Sequence, residues 1–225
     1  MTTQLQLPAA VLTDLDGTLL DSEAPWLELV AEVARERGAD SAGAARIAHL
    51  AEGATVTQTI ALLAGEQAGD PATEAALAAE LDERAAEAIA QARWLPGSEA
   101  FLDRVAEAGV PLALVTSSDR GWVGIIAPVL GIDRFDTVVT ADDVERHKPH
   151  PDPYLLAATR LGLDPAACLA LEDSRTGSTA ALAAGVPTLV LRPEQPGWLQ
   201  PGAGWAPGLG GLGVAEAHAK TRSVS

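Results

Sequence analysis

The stretch Val11–Ser22, VLTDLDGTLLDS, decides how the rest of the chain is read. An apolar run feeds two acids, Asp14 and Asp16, and a Gly17-Thr18 turn then releases the chain into helical sequence. The apolar part, Pro8–Thr13, is too brief for a helix and is closed by turn-forming Asp-Gly, so it reads as a short buried strand. From Glu23 to about Arg93 apolar residues recur at helical spacing: Trp26, Leu27, Val30 and Val33, then Ile47 and Leu50, then Val56, Ile60 and Leu63. Asp70-Pro71 opens a further helix through Leu77, Leu81, Ala85 and Ile89, with an N-cap acid and a proline where the first helical turn tolerates it. No strand signal interrupts this region, which therefore reads as an inserted helical bundle.

After Trp94-Leu95-Pro96-Gly97 the pattern changes to strands alternating with helices. Ser98 caps a helix to Ala108, Val110–Val115 is a strand, Asp119–Leu130 a helix and Thr137–Val139 a short strand. Asp152-Pro153 opens a helix closed by Gly162. The strands Cys168–Leu171 and Val186–Leu191 flank the helix Arg175–Ala184. Such alternation argues for an α/β fold, a parallel sheet covered on both faces, with ligands bound outside the C-terminal strand ends. The expected division is residues 1–21 with 94–225 as the core and 22–93 as the helical insert. The tail from Pro193 is rich in Gly, Pro and Trp. Its Gly208-Leu-Gly210-Gly-Leu-Gly213 run matches a dinucleotide-binding string, but no clear strand precedes it and too few residues follow for a βαβ unit, so it reads as a Gly-rich turn or loose tail.

Composition narrows the function. A net charge of -16 is the opposite of a nucleic-acid footprint and would repel an anionic lipid surface. No apolar run reaches the roughly 18–20 residues of a transmembrane helix. The opening MTTQLQLPAAVLTD lacks the basic start of a signal peptide. The single cysteine, Cys168, excludes an internal disulfide and fits a reducing cytoplasm, with core packing as its expected role. With 48% apolar residues but only 4% aromatics, the core must be built largely of Ala, Leu and Val. An anionic substrate would have to be drawn to so acidic a chain by a metal ion or a local cation.

The polar residues at the strand ends supply candidates. Asp14 and Asp16, two apart in an extended segment, project to one side; one carboxylate can attack an electrophile while the other moves a proton. Alone, an Asp-Gly pair is more simply a turn. Thr116-Ser117-Ser118 ends the next core strand, where hydroxyls and backbone N–H groups form an anion site, although N-capping by Ser118 or Asp119 explains the same residues. Lys148 lies in the stiff loop His147-Lys148-Pro149-His150-Pro151, where the plain alternative is a solvated lysine. Glu172-Asp173-Ser174 brings two more acids to the edge that holds Asp14, or else simply starts a capped helix.

Taken together, in this order and spacing, LTDLDGTLLDS, the helical insert directly after it, LVTSSD, HKPHPDPY and LEDSRTGSTAALAAG resemble the haloacid dehalogenase-like hydrolase superfamily, in its phosphatase and β-phosphoglucomutase-like branch. The resemblance implies a Rossmann-like core with a small all-α helical cap, and an Mg²⁺-dependent hydrolase of small phosphomonoesters such as a sugar phosphate or phosphoglycolate. It implies that Asp14 is the nucleophile that becomes an aspartyl phosphate and Asp16 the general acid/base. Thr116 and the Ser117 backbone would hold the phosphate with Lys148, which also neutralises the nucleophile. Mg²⁺ would be bound by Asp14, the Asp16 carbonyl, Asp173 and, directly or through water, Glu172, which also resolves the charge problem. The cap would exclude water and choose the leaving group, and a cytoplasmic monomer is the default.

Departures separate neighbouring activities. A dehalogenase of the superfamily needs neither Asp16 nor the metal acids. A mutase typically carries a His where this chain has Pro25-Trp26, and basic cap residues where Gly53–Gln58 offers none. A catalytically idle phosphate-binding protein is opposed by the completeness of the set. Thr13 stands where an aromatic often precedes the nucleophile. His147 and His150 lack further ligands for a zinc site, and Trp26 and Trp122 read as packing residues.

Overall fold

In the computed structural model, residues 5–51 and 56–222 are described. Strand β1 (Val11–Thr13) leads through the Asp14–Thr18 turn into β2 (Leu20–Asp21) and four helices, α1 (Glu23–Glu36), α2 (Ser41–Ala51), α3 (Val56–Ala64) and α4 (Pro71–Ile89). Strand β3 (Arg93–Trp94) pairs with β2 where the chain returns. There follow α5 (Ser98–Glu107), β4 (Leu112–Val115), α6 (Arg120–Leu130), β5 (Thr137–Val139), α7 (Asp152–Leu161), β6 (Leu169–Glu172), α8 (Arg175–Ala183), β7 (Thr188–Leu191), β8 (Ala203–Ala206) and α9 (Val214–Arg222). The chain divides into two compact units, Met1–Leu20 with Trp94–Ser225, and Asp21–Arg93.

The first unit is an α/β layered core. Its sheet has the order β5-β4-β1-β6-β7-β8, and every pairing is parallel. β1, β4, β6 and β7 are buried along their whole length, as parallel strands covered on both faces must be. Leu12, Ala113, Val115 and Ala170 point to one face, where Tyr154 and Ala157 of α7 and Ala180 and Ala181 of α8 close on them. Alanines at these contacts let helices approach the sheet closely, which is how a core with so few aromatics fills its interior. α9 lies on β7 and β8 and also meets α5.

The second unit is helical. Asp70 caps α4 by accepting from the Thr73 N–H at 3.0 Å, with Pro71 in the first helical position. Leu77 and Leu81 of α4 and Val30 and Val33 of α1 are buried. Of the Gly53–Gln58 stretch, which offers no cation, Gly53–Thr55 lie outside the described residues and Val56–Gln58 open α3.

Two sequence readings need correction. Ser98 does not cap α5: Gly97 does, and the buried Ser98 hydroxyl donates instead to the Thr18 carbonyl at 3.3 Å. The tail is not loose. Ala203–Ala206 adds a sixth parallel strand, its pairing on β7 closed by Arg192 N–H to Ala206 O at 3.1 Å and by the Trp205 indole donating to Arg192 O at 2.9 Å. A strand therefore does precede the Gly208–Gly213 run. What makes that run structural is that the Arg104 guanidinium donates to the Leu209 and Leu212 carbonyls, tying the turn to α5. Thr137–Val139 is a strand with the bounds read from the sequence, while the boundaries of β1, β4, β6 and β7 shift by one to three residues, because hydrogen-bond registry with neighbours ends them, not the end of the apolar run.

Candidate active site

Register places the candidates. Thr13 pairs with Leu114 on one side and Leu171 on the other, so the next residue up, Asp14, is level with Val115 and Glu172. Neighbouring strands lie about 4.8 Å apart, which alone brings a side chain from each strand end within reach of the others. The Asp14 N–H donates to Leu171 O at 3.0 Å and fixes that level.

Lys148 arrives from the loop ahead of α7, and its Nζ donates to Asp14 Oδ1 at 2.6 Å, Val115 O at 2.9 Å and Glu172 Oε1 at 2.7 Å. An ammonium has three donors and no acceptor, and all three are used. Its side chain is 3% exposed and that of Glu172 0%. Arg146 and Asp152, joined by two bonds of 2.8 Å, brace the loop on either side of Lys148. Glu172 also accepts from the Tyr154 hydroxyl at 2.5 Å and from Ser174 at 3.2 Å. Gly177 makes room for it: a Cβ there would overlap the Glu172 carboxylate. Asp173 stands beside it, accepting from Thr18 Oγ1 at 3.4 Å, with Arg192 Nη1 3.5 Å from its other oxygen. Gly17 runs under Asp173 at a φ of +79°, where a side chain would be both strained and pressed on the carboxylate.

The electrostatics follow from burial. Desolvation pushes the Asp14 carboxyl well above its ordinary range, and Glu172 and Asp173 push the same way against Lys148. Burial alone would lower Lys148, but the carboxylates of Asp14 and Glu172 outweigh it and hold the ammonium above its usual value. Burial and the Glu172 charge raise Asp173 to about 6, with Arg192 and Lys148 opposing. Burial first, then Glu172 and Asp14, raise the Tyr154 phenol. Asp14, Glu172 and Asp173 each offer an oxygen within 4.8 Å of the others. Three carboxylates facing the Lys148 ammonium and the Arg192 guanidinium leave an excess of negative charge, and a hard, all-oxygen donor set of this kind fits a divalent ion such as Mg²⁺.

The remaining candidates have other hydrogen-bond partners. The Asp16 carboxylate turns to the segment after β4, where the Ser118 hydroxyl donates to Oδ2 at 2.7 Å. Thr116 is buried and its hydroxyl accepts from the Ser118 N–H at 3.0 Å, while Ser117 is exposed. Asp119 is the N-cap of α6. His147 and His150 are exposed, and the His150 N–H closes a turn on His147 O at 2.9 Å. Sequence reasoning missed Tyr154, Gly177 and Arg192, took Ser174 only as part of a capped helix start, which it is, without its bond to Glu172, and read Trp122 as a packing residue although its indole donates to Asp16 Oδ1 at 3.4 Å. The signal for Tyr154 was that it is the only tyrosine in the chain, two residues after the Asp that braces the lysine loop.

Among the described residues no helix is long and apolar enough to cross a membrane. A family model described as haloacid dehalogenase-like hydrolase matches residues 11–191. The chain is 36% identical over 188 residues to the putative phosphatase YhcW of Bacillus subtilis, covering 81% of this chain and 82% of that one. It is 34% identical over 174 residues to hexitol phosphatase A of Escherichia coli, covering 77% and 78%. A crystal structure of a HAD family hydrolase from Deinococcus radiodurans with bound phosphate and sodium superposes with a TM-score of 0.69 at 31% identity, covering 97% of this chain and 95% of that one. With its parallel core and its acids at the strand ends, the chain belongs to the haloacid dehalogenase-like hydrolases, on their phosphatase-like branch, and is a phosphoric monoester hydrolase.

Proposed function

We propose that the protein is an Mg²⁺-dependent phosphatase that hydrolyses a small phosphomonoester, of the sugar-phosphate or phosphoglycolate kind, through an aspartyl phosphate on Asp14. The observation that carries this reading is the buried Asp14 carboxylate at a strand end, held by the Lys148 ammonium at 2.6 Å beside two further acids. The phosphatase names of two relatives, and the phosphate and sodium in a similar structure, support it.

Lys148 engages Oδ1, which leaves Oδ2 to attack phosphorus. As the Asp14–phosphorus bond forms, the bond to the leaving oxygen breaks and that oxygen takes a proton from Asp16. A water then gives a proton back to Asp16 while its oxygen attacks phosphorus, releasing phosphate and Asp14. Thr116, whose oxygen accepts from the Ser118 N–H, keeps its own hydroxyl proton to donate to the phosphate, with the Ser117 N–H beside it. Asp14, Asp173 and the Asp16 carbonyl would hold Mg²⁺, with Glu172 acting directly or through water because its oxygens already accept three hydrogen bonds. Bound there, the ion would offset the negative charge of the cluster and of the incoming ester. The buried single cysteine, Cys168, suits a reducing, cytoplasmic setting.

The test is phosphate release by purified protein with Mg²⁺ from a panel of small phosphomonoesters and an activated aryl phosphate. Release should stop with EDTA and in Asp14→Asn, with the variant's unfolding midpoint retained. Turnover that survives either treatment overturns the mechanism.

A further inference from the structure

Both oxygens of Asp16 are held by one short segment. The Ser118 hydroxyl donates to Oδ2 at 2.7 Å and the Trp122 indole N–H to Oδ1 at 3.4 Å. These donors are themselves fixed. The Trp122 backbone N–H donates to the Asp119 carboxylate at 2.8 Å, which seats the ring on the first turn of α6. Ser118 is tied through its N–H to Thr116 Oγ1 and through its carbonyl to the Ala141 N–H, both at 3.0 Å. The two donors differ in kind. An indole N–H only donates, so Oδ1 must remain an acceptor whatever the state of Asp16. A serine hydroxyl donates or accepts, so Oδ2 can carry a proton and still be bonded.

We infer that Trp122, acting with Ser118, is a positioning residue for Asp16: its indole N–H holds Oδ1, so that Oδ2 is the oxygen that gives its proton to the leaving group. This rests on the assignment of Asp16 as general acid/base. In that step the Asp14–phosphorus bond forms and the phosphorus–oxygen bond to the leaving group breaks. The electron pair of the broken bond takes the Oδ2 proton. Water returns a proton to Asp16 in the second step, so nothing is consumed beyond ester and water.

The experiment exploits leaving groups. An alkoxide cannot depart without a proton, whereas the phenolate of an activated aryl phosphate can, and kcat/KM reports steps only up to that departure. Wild type, Asp16→Asn, Trp122→Phe and Ser118→Ala are compared on one alkyl phosphate from the active panel and on the aryl phosphate. Circular dichroism checks the fold of each. Asp16→Asn should lose far more on the alkyl ester than on the aryl ester. Trp122→Phe, which keeps the ring and removes the N–H, should show the same selective loss, larger on the alkyl ester by about 10-fold, a part of the 10²–10⁴ that general acid catalysis supplies. Ser118→Ala should move in the same direction, and it decides the matter if Trp122→Phe does not fold. Equal losses on both esters in Trp122→Phe and Ser118→Ala, with Asp16→Asn still selective, would overturn the positioning role and leave the phosphatase mechanism intact. If Asp16→Asn is itself unselective, the acid assignment falls and the inference with it.

Discussion

Lys148 in the core unit and Arg84 in the helical unit are each held by more than one carboxylate, and water separates the two cases. Lys148 bonds Asp14 and Glu172 at 2.6 and 2.7 Å, with side chains 3%, 11% and 0% exposed. Arg84 reaches Glu36, Glu32 and Glu80 at 2.6, 3.0 and 3.3 Å, but Glu32 and Glu36 are more than half exposed. At the helical surface, solvent screens the attraction and a broken pair is rehydrated, so such contacts contribute little. In the core the same attraction is scarcely screened, and a charge that loses its partner has no water to turn to. The lesson is that the core site is a cluster of mutually dependent charges, while the ladder between α1 and α4 is a solvated surface.

The sharpest way to break this comparison is Lys148→Ala, which strands Glu172 and Asp14 together. It should cost about 3–5 kcal/mol of stability by urea unfolding; a cost below about 1 kcal/mol would mean the cluster is wetter than its burial indicates. Gly177→Ala tests the fit of Glu172 without removing a charge. Forcing a methyl against that carboxylate should cost about 1–3 kcal/mol, and an unchanged midpoint would count against the packing.

Asp143, 12% exposed, stands between the two extremes. Burial pushes its carboxyl up, but hydrogen bonds from Arg160 and Thr140 outweigh this and hold it well below the usual range. Its contribution is therefore present above the unfolded-chain value near 4 and is lost as pH falls. Asp143→Asn should cost about 1–2 kcal/mol at pH 7, and the gap to wild type should narrow from about pH 4 downward. A gap independent of pH would show that charge is not involved. The smallest effect is expected at Arg84→Ala, less than about 1 kcal/mol and shrinking further in high salt. A larger, salt-insensitive loss would erase the contrast between the units.

Much of this was legible in the residues. Apolar runs too short for helices, each ending in a polar cluster, are enough to say that a parallel sheet presents Asp14, Thr116 and Glu172-Asp173 at one edge. What escaped was whatever depends on a partner distant in sequence. Ala203–Ala206 carries two alanines, a glycine and one tryptophan, which is no strand signal; it is a strand because β7 offers an open edge and Trp205 reaches the Arg192 carbonyl. Ser98 has the local signature of a cap, yet burial left the Thr18 carbonyl as its partner.

The sequence by itself determined the α/β class, the helical insertion after the first motif and the order of Asp14, Lys148, Glu172 and Asp173, because periodicity and residue type are local properties. Only the tertiary structure decided what each side chain does with its hydrogen bonds. It closed Lys148 between two strands, placed Tyr154 under Glu172, cleared Gly177 for it and turned Asp16 toward Ser118 and Trp122. The physical reason is that a buried polar group must find a partner wherever the packed chain supplies one, and neighbours in space are not neighbours in sequence.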